Sequence, residues 1–338
     1  RTRRSDGYVV AADVPSGVDP EASEPSADPV KADAVVAFHD EKPVPGELGA
    51  DVVVADIGIP DAAERFVGPG DLSLLNRAPD AHKGDHGRVL VVGGGPYTGA
   101  PALTARAALR GGADLVEVVA PETVADVVAS YSPDLITSSL DGDRLKPRHV
   151  EHVAERAEEA DVAVVGPGLG AAEETLDAVG ELLPRLENAV VDADALCEID
   201  AANEDGDVVA TPHAGELAQH VDDVPDGGRE RRDVVAEFAA EKGVVTLLKG
   251  RYDVVSDGER TRVSRTGNPG MTVGGTGDVL AGVCGALGAR LDGFDAACIS
   301  AFVNGRAGDA VAEGNGYGMT ATDLVEAVPD ALWKDEEV

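Results

Sequence analysis

From residue 88 onward, short apolar segments alternate with longer stretches in which apolar residues recur every three or four positions. Short β-branched runs bounded by turn residues are typical of buried strands, and the longer spacing is typical of helices. Strands that alternate with helices predict a parallel, doubly wound α/β sheet with helices on both faces. The predicted strands are 89–92, 115–119, 162–165, 189–191, 208–210 and 244–248, and the predicted helices are 101–109, 124–130, 149–160, 279–291 and 296–312.

Two further patterns complete the predicted organisation. The segments 254–256 and 261–264, joined across Asp257-Gly258, predict a hairpin that extends the sheet in antiparallel fashion. In the first 60 residues, strands are predicted at 9–13, 34–38 and 52–57, with a loop at 20–29 rich in Pro, Ser and acids. The pattern loosens after Ile59-Pro60 and is interrupted by Gly68-Pro-Gly70, which predicts two domains, 1–68 and 69–338.

Composition excludes several classes of partner. The net charge is −35, from 28 basic and 63 acidic side chains, so nucleic acid and anionic membranes are not expected to bind. Acids spread over many helices suit a high-salt cytoplasm of halophilic type, where screening weakens self-repulsion. The three cysteines form no CxxC pair, which disfavours a zinc site or a disulfide framework. No apolar run approaches the roughly 18 residues of a membrane span, and no signal peptide is visible, so we expect a soluble, cytoplasmic protein.

The most informative stretch for chemistry is 268–282. Glycines at 270, 274, 275 and 277 precede an apolar helical pattern that starts at Asp278. Glycine admits backbone conformations in which successive N–H groups point into one concavity, and a helix N-terminus adds partial positive charge. Such a site binds an anion, and a carboxylate beside it can take the proton from a hydroxyl that attacks phosphate. The alternative is a glycine-rich turn with Asp278 as the helix N-cap.

Polar or glycine-rich segments also follow most of the predicted strands. Because ligands of such sheets bind beyond the carboxyl ends of the strands, we expect these segments to converge with Asp278, which favours the anion site. The fingerprints G-x-G-x-x-G and G-x-x-x-x-G-K-[ST] are both absent, so a Rossmann or P-loop site is not indicated. The segments are 93–95, 166–170, Asp192, His213 with Glu216, and Lys249-Gly250.

The segment Thr211–Glu216 allows two interpretations. Pro212 occupies the expected first helical position after a threonine cap, so the segment could be a plain helix start with solvated His213 and Glu216. Alternatively, His213 grips substrate and Glu216 holds a water-ligated Mg²⁺ against phosphate oxygens. Lys249 could place its amine on a phosphate, and Asp192 and Asp194 could serve a phosphate-bound metal or cap the next helix.

Seven segments in one order resemble the nucleotide-dependent NAD(P)H-hydrate dehydratases, the carbohydrate-kinase-related branch of the ribokinase-like superfamily. The resemblance covers about residues 70–338 and implies a three-layer α/β/α fold with a mostly parallel sheet. Through Asp13–Gly17, the Lys42-Pro43 turn and Asp56–Pro60, residues 8–60 resemble the closing part of the Rossmann-like NAD(P)H-hydrate epimerase domain that precedes the dehydratase in bifunctional members. The seven segments are His82–Gly87, Gly99-Ala100, Gly166–Gly170, Asp192–Leu196, Thr211–Glu216, Leu248–Gly250 and Asn268–Gly282.

The resemblance also implies an activity and its residues. ADP, or ATP, would phosphorylate the ring hydroxyl of the S-form of hydrated NADH or NADPH, and loss of phosphate would regenerate the cofactor. Asp278 would accept the hydroxyl proton and, with Ala100, Gly168 and His213, contact the hydrated cofactor. Mg²⁺ would accompany the nucleotide at Glu216, and a homo-oligomer is expected. The residues expected at the nucleotide are Lys249, Gly250, Arg251, Tyr252, Asp253, Gly275, Thr276 and Gly277.

Two other functions stay open at this point. A kinase of the same fold could phosphorylate a vitamin precursor or a sugar, although such kinases usually carry Asn where this chain has His213. A non-catalytic cofactor-binding or scaffold protein is the other alternative. Asp13 and Ser16 match substrate and potassium positions of the epimerase, but its opening motif and over half of that domain are missing, so we expect no epimerase activity.

Overall fold

The computed structural model describes residues 7–18, 30–39, 42, 49–75 and 81–334, with the side chains of residues 61 and 62 left out. The chain divides into two compact units, Arg1–Glu64 and Arg65–Val338. The loop expected at 20–29 and Pro43 lie outside the described residues. Among the described residues, no helix is long and apolar enough to cross a membrane.

The first unit is built on a parallel sheet. In its described part, three strands lie in the order β1 (Val10–Ala12), β2 (Ala34–Phe38), β3 (Asp51–Ala55), and the short helix α1 (Asp61–Arg65) follows. The central strand buries Val35 and Ala37. All three predicted strands are confirmed; β1 is one residue shorter at each end than predicted, and β3 begins one residue earlier and ends two residues earlier. Assignment of this unit to an epimerase domain stays a prediction.

The second unit contains one large sheet, as the alternating pattern predicts. Within the described residues it has nine strands in the order β12-β11-β10-β9-β8-β7-β4-β5-β6. Strands β4 to β10 are parallel, and the β11–β12 hairpin adds two antiparallel strands, as predicted. The strands are β4 (Arg88–Val92), β5 (Leu115–Pro121), β6 (Ile136–Leu140), β7 (Val162–Val165), β8 (Asn188–Val191), β9 (Asp207–Ala210), β10 (Val245–Leu248), β11 (Asp253–Ser256) and β12 (Thr261–Ser264).

Helices cover both faces of this sheet and create two apolar cores. Successive side chains of β4 point to opposite faces: Val89 and Val91 join the core under α2, α3, α8, α9 and α10, while Leu90 and Val92 join the core under α4, α5 and α7. The predicted three-layer α/β/α architecture is therefore confirmed. The helices are α2 (Gly99–Gly111), α3 (Glu122–Tyr131), α4 (Val150–Ala157), α5 (Glu173–Leu182), α6 (Ala214–Leu217), α7 (Gly228–Lys242), α8 (Thr276–Gly288), α9 (Gly293–Asn315) and α10 (Ala321–Trp333).

Several elements escaped the sequence pattern for identifiable reasons. Strand β6 has the sequence ITSSL and fully buries only Leu140, so its apolar signal is weak. Helix α7 opens with a run of charged residues, and α10 contains Pro329, which usually marks a helix end. The helix predicted at 149–160 is confirmed as α4, which is shorter than predicted and is preceded by the 3₁₀ turn Pro147–His149.

Close packing of α2 against α8 fixes the position of the functionally important end of α8. A Cβ on Gly282 would lie 2.1 Å from the Thr104 carbonyl oxygen, so only glycine allows this approach. The Thr104 hydroxyl donates to the Asp278 carbonyl oxygen at 3.1 Å. The first turn of α8 is thus anchored by a neighbouring helix.

Candidate active site

The loops that follow the parallel strands lie against one another at the carboxyl edge of the sheet. Strand order reverses between β4 and β7, where ligands of doubly wound sheets usually bind. A Cβ on Gly93, just after β4, would lie 2.5 Å from the Pro167 carbonyl oxygen. Gly166 has φ +127°, and a Cβ there would lie 1.8 Å from the Asp192 carbonyl oxygen. The glycines predicted from sequence therefore let three loops meet at one place.

Helix α8 begins at this edge of the sheet. Gly275, with φ +97°, is its N-cap, and the Thr276 hydroxyl donates to the carbonyl oxygens of Met271 and Val273. The helix starts two residues before the predicted position, so Asp278 lies in the first turn and is not the N-cap. The first amides of a helix have no intrahelical acceptor and carry partial positive charge, so this turn can bind an anion.

Asp278 has an unusual affinity for protons. Burial of its carboxyl group, and after it the charge of Asp192, raise its pKa from the ordinary 3.8 to about 7, against the opposing effect of Lys249. A general base works best when its pKa lies near the working pH. The carboxylate is therefore suited to accept a proton at neutral pH.

Lys249 adds a full positive charge to the helix N-terminus. Its Nζ lies 2.8 Å from Asp192 Oδ1 and 3.9 Å from Glu216 Oε2, and a Cβ on Gly277 would lie 3.4 Å from it. Burial lowers the pKa of Lys249, but the neighbouring carboxylates outweigh burial and the net pKa is raised. The lysine is thus a protonated ammonium group beside the first turn of α8.

The buried carboxylate of Asp192 fixes this lysine. Asp192 is 3% exposed, and its Oδ1 accepts a hydrogen bond from the Thr211 hydroxyl at 2.8 Å as well as from Lys249. Its side chain makes no cap bond to the following 3₁₀ helix, Ala193–Ala201. Asp192 thus stands at the N-cap position of that helix, but its carboxylate orients the Lys249 ammonium instead of capping the helix, and a role at a phosphate-bound metal stays a prediction.

His213 and Glu216 form a reciprocal helix cap. His213 Nδ1 accepts the Glu216 N–H at 3.0 Å, and Glu216 Oε2 accepts the His213 N–H at 2.7 Å, so His213 is the N-cap of α6. The predicted threonine cap with Pro212 as first helical residue is wrong, because Thr211 donates to Asp192 instead. Since Nδ1 accepts, the neutral imidazole carries its hydrogen on Nε2. The backbones of His213 and Lys249 pair in an isolated parallel β-bridge, which places this helix cap beside the lysine.

The predicted nucleotide loop, Lys249–Asp253, is closed by its own side chains. The Gly250 N–H donates to Asp253 Oδ1 at 2.9 Å, and burial raises the pKa of Asp253 to about 6. The exposed side chains of Arg251 and Tyr252 contact each other, with the guanidinium carbon 5.4 Å from the ring centre. Direct contact of these residues with a nucleotide stays a prediction.

Arg231 holds this loop by a hydrogen bond to its backbone, a role that was not predicted from sequence. This arginine of α7 is 7% exposed and donates to the carbonyl oxygens of Lys249, at 3.1 Å, and Pro225, at 2.9 Å. A Cβ on Gly250 would lie 2.7 Å from its Nη2. The sequence gives no signal for this role, because Arg231 stands in a run of charged residues that reads as a solvated helix face.

Ala100 and Gly168, the expected substrate contacts, lie together beyond the carboxyl ends of the paired strands β4 and β7. Gly168 has φ +75°, and a Cβ on it would lie 2.6 Å from the Tyr97 carbonyl oxygen and 3.3 Å from Ala100 Cβ. A Cβ on Gly275 would lie 2.8 Å from Leu103 Cδ1, so the N-terminal half of α2 also borders the start of α8. The expected substrate and phosphate sites are therefore neighbours.

A magnesium ion at this site would need only one or two ligands from the protein. Among the described residues, no three His, Cys, Asp or Glu side chains are grouped so as to hold a metal. Mg²⁺ usually keeps several waters and binds one or two carboxylates plus substrate phosphates. The carboxylate of Glu216, whose Oε1 lies 3.4 Å from His213 Nε2, is compatible with that mode.

Comparison with known proteins gives consistent results. Residues 89–330 match the Carb_kinase family, described as NAD(P)H-hydrate dehydratase. The chain is 46% identical over 333 residues to the bifunctional NAD(P)H-hydrate repair enzyme Nnr of Archaeoglobus fulgidus, covering 97% of this chain and 69% of that protein.

Solved structures share the fold. An ADP/ATP-dependent NAD(P)H-hydrate dehydratase from Bacillus subtilis, co-crystallised with ATP/Mg²⁺, superposes with a TM-score of 0.68 at 23% identity, over 82% of this chain and 98% of that one. A ribokinase-like superfamily protein from Enterococcus faecalis V583 gives 0.68 at 24% identity, over 79% and 95%. The ribokinase-like fold predicted from sequence is confirmed.

Proposed function

The chain belongs to the NAD(P)H-hydrate dehydratase family, and we propose that it dehydrates the S-form of hydrated NADH or NADPH with ADP, or alternatively ATP, as phosphoryl donor. The observation that carries this proposal is Asp278. Its carboxyl group has a pKa of about 7 and lies in the first turn of a helix whose N-terminus is flanked by the Lys249 ammonium. A proton acceptor beside a concentrated positive charge suits a hydroxyl that attacks phosphorus.

In the proposed first step, the ring hydroxyl oxygen forms a bond to the terminal phosphorus of the nucleotide. The bond from that phosphorus to the bridging oxygen breaks, and AMP leaves when ADP is the donor. The Asp278 carboxylate accepts the hydroxyl proton. The amides of Gly275, Thr276 and Gly277, together with Lys249, stabilise the negative charge on the transferred group.

In the second step, the bond between the ring carbon and the phosphate oxygen breaks. Phosphate takes the electron pair, and the neighbouring ring carbon loses a proton, which restores the double bond. Hydrated NADH and ADP thus yield NADH, AMP, phosphate and one proton. The positive charges that stabilise the transferred phosphoryl group also stabilise the departing phosphate.

The remaining residues bind and orient. Ala100 and Gly168, which lie together beyond the ends of β4 and β7, would contact the hydrated ring. His213 Nε2–H is a donor for the hydrated cofactor. A magnesium ion held at Glu216 would neutralise nucleotide phosphate charge when bound, and the loop Lys249–Asp253 would carry the nucleotide.

The function is tested by incubating each separated epimer of hydrated NADH with ADP or ATP, Mg²⁺ and high salt. The S-form is expected to regain the absorbance of the reduced nicotinamide ring, with one AMP and one phosphate per ring restored when ADP is used. Accumulation of a stable phosphorylated alcohol instead would identify a kinase. Binding of cofactor without any turnover would identify a non-catalytic protein, and in either case the proposal would fail.

For the first part of the chain, we propose that residues 1–68 belong to the closing part of an epimerase domain. Support comes from Asp13, which follows β1 with φ +63°, a conformation that non-glycine residues adopt mainly under constraint. Its Oδ1 accepts the Phe38 N–H at 3.1 Å and lies 3.5 Å from Lys42 Nζ.

A further inference from the structure

The loop that precedes α8 is tied to α9 by one carboxylate. Asp309 of α9 is half-buried and faces the segment 266–275, called here the phosphate loop. Its Oδ2 accepts the Gly267 N–H at 2.9 Å, and its Oδ1 accepts a hydrogen bond from Asn268 Nδ2 at 3.0 Å. Both bonds therefore connect α9 to the start of the phosphate loop.

Asn268 relays this connection toward α8. Its Oδ1 accepts the Gly270 N–H at 2.9 Å and so caps the 3₁₀ turn Pro269–Thr272. The carbonyl oxygen of Met271, in that turn, accepts the Thr276 hydroxyl at 2.9 Å. Hydrogen bonds at Asn268 and Met271, joined by the backbone of the 3₁₀ turn between them, thus connect Asp309 with the first turn of α8.

Small residues on α9 bring the phosphate loop close enough for these bonds. A Cβ on Gly308 would lie 2.4 Å from Met271 Sδ, and a Cβ on Gly305 would lie 2.3 Å from Thr266 Oγ1. The Thr266 hydroxyl donates to the Phe302 carbonyl oxygen at 2.9 Å. Asp309 supplies the charge-assisted bonds of this contact, which are the stronger kind.

We propose that Asp309 is a positioning residue that acts through Asn268 to hold the amides at the start of α8 in phosphate-binding geometry. Asp309 lies on α9, behind the phosphate loop, and is not proposed to touch substrate. The inference rests on the proposed function, since it concerns the same phosphate site. It adds a residue that the family resemblance did not suggest and that sequence reasoning missed.

The arrangement of hydrogen-bond donors and acceptors at Asp309 and Asn268 makes the proposal testable. A carboxylate only accepts hydrogen bonds, a backbone N–H only donates, and a carboxamide does both. Asp309→Asn must turn an NH₂ group toward either the Gly267 N–H or the Asn268 NH₂, both donors. Asn268→Asp turns one carboxylate toward another. In the double variant Asp309→Asn/Asn268→Asp, every donor again faces an acceptor, and the net charge equals that of the wild type.

The experiment compares the wild type, both single variants and the double variant in a cycle. The measured quantities are the dissociation constant for ADP, kcat and KM for the hydrated cofactor, and the unfolding temperature. Each single variant is expected to lose about 10–100-fold in kcat/KM, the range for losing a hydrogen bond to a charged group. ADP is expected to bind more weakly, and the double variant is expected to recover to within about threefold of the wild type.

A control separates positioning from general support of α9. Asp292 caps the opposite end of the same helix by accepting the Asp295 N–H at 2.8 Å, and Asn is an equally good cap. Asp292→Asn should change neither ADP binding nor kcat/KM. Assays run well below every unfolding temperature report only folded molecules.

Two results would overturn the inference. One is a single variant with wild-type ADP binding and kcat/KM, and the other is a folded double variant no better than the single variants. If a single variant does not fold, the double variant still decides, because donor and acceptor matching predicts that it folds and works. A wild type that binds ADP without restoring NADH would refute the proposed function, while the ADP-binding comparison would still test Asp309.

Discussion

Replacing Asp278 by asparagine is expected to stop turnover and, at the same time, to stabilise the fold at neutral and alkaline pH. Asparagine has nearly the same shape but cannot take up the hydroxyl proton. Loss of a general base lowers kcat by about 10²–10⁴-fold. The gain in stability arises because the carboxyl group is half-buried, and burial makes its ionised form less stable in the folded protein than in water.

The magnitude follows from the pKa of Asp278. Its pKa rises from 3.8 to about 7 on folding, and each tenfold change in proton affinity corresponds to about 1.4 kcal/mol, so the ionised carboxylate costs the fold about 4 kcal/mol. Because the folded-state pKa lies above the unfolded one, the free energy of unfolding of the wild type falls by this amount as pH rises from about 4 to about 7. The stability of Asp278→Asn lacks this dependence. The advantage of the variant should therefore grow by about 3 kcal/mol between pH 5 and pH 8.5, and level off above pH 7.

Denaturant unfolding of both proteins at fixed salt, repeated across that pH range, measures the effect. Asp323→Asn is the matched control, because hydrogen bonds from Thr320 lower the pKa of Asp323 and place its titration below the range. Its difference from the wild type should be constant with pH. In parallel, wild-type kcat/KM should rise with pH to a plateau, with a midpoint near 7. A stability difference for Asp278→Asn that stays flat or shrinks with pH would refute the reasoning.

Three further outcomes are expected. Lys249→Met removes the ammonium group and leaves the Asp192 carboxylate buried without its cation. The free energy of unfolding in denaturant should therefore fall by about 3 kcal/mol or more, and calorimetry should show weaker ADP binding. An unchanged ADP dissociation constant would contradict the role of this lysine. Gly282→Ala should lower the unfolding temperature strongly, because its Cβ would meet the Thr104 carbonyl oxygen at 2.1 Å, whereas Gly314→Ala, with no atom within 4 Å of the new Cβ, should be tolerated. Removal of Mg²⁺ by a chelator should abolish turnover. It should not lower the unfolding temperature of the nucleotide-free protein, because the Glu216 carboxylate already accepts a hydrogen bond from the His213 N–H. A large drop in that temperature would indicate a structural metal instead.

Much of the fold was predictable because its signals are local. Strands buried on both faces appear as continuous β-branched runs such as Val162–Val165, and the prediction for that strand matches the structure residue for residue. Glycines placed after strands mark the points where loops must approach closely. Elements whose stability comes from tertiary packing gave weaker signals, as edge strand β6 and the charged opening of α7 show.

The sequence by itself determined the layered parallel sheet, the glycine-rich start of α8 and the presence of Asp278, Lys249, His213 and Glu216 at strand or helix ends, because these depend on residue type and short-range spacing. Only the tertiary structure decided what these residues do to one another. The raised pKa of Asp278, the hold of Asp192 on Lys249, and the link from Asp309 to the phosphate loop join residues far apart in the chain. Burial and long-range hydrogen bonds set these properties, and neither exists until the chain has folded.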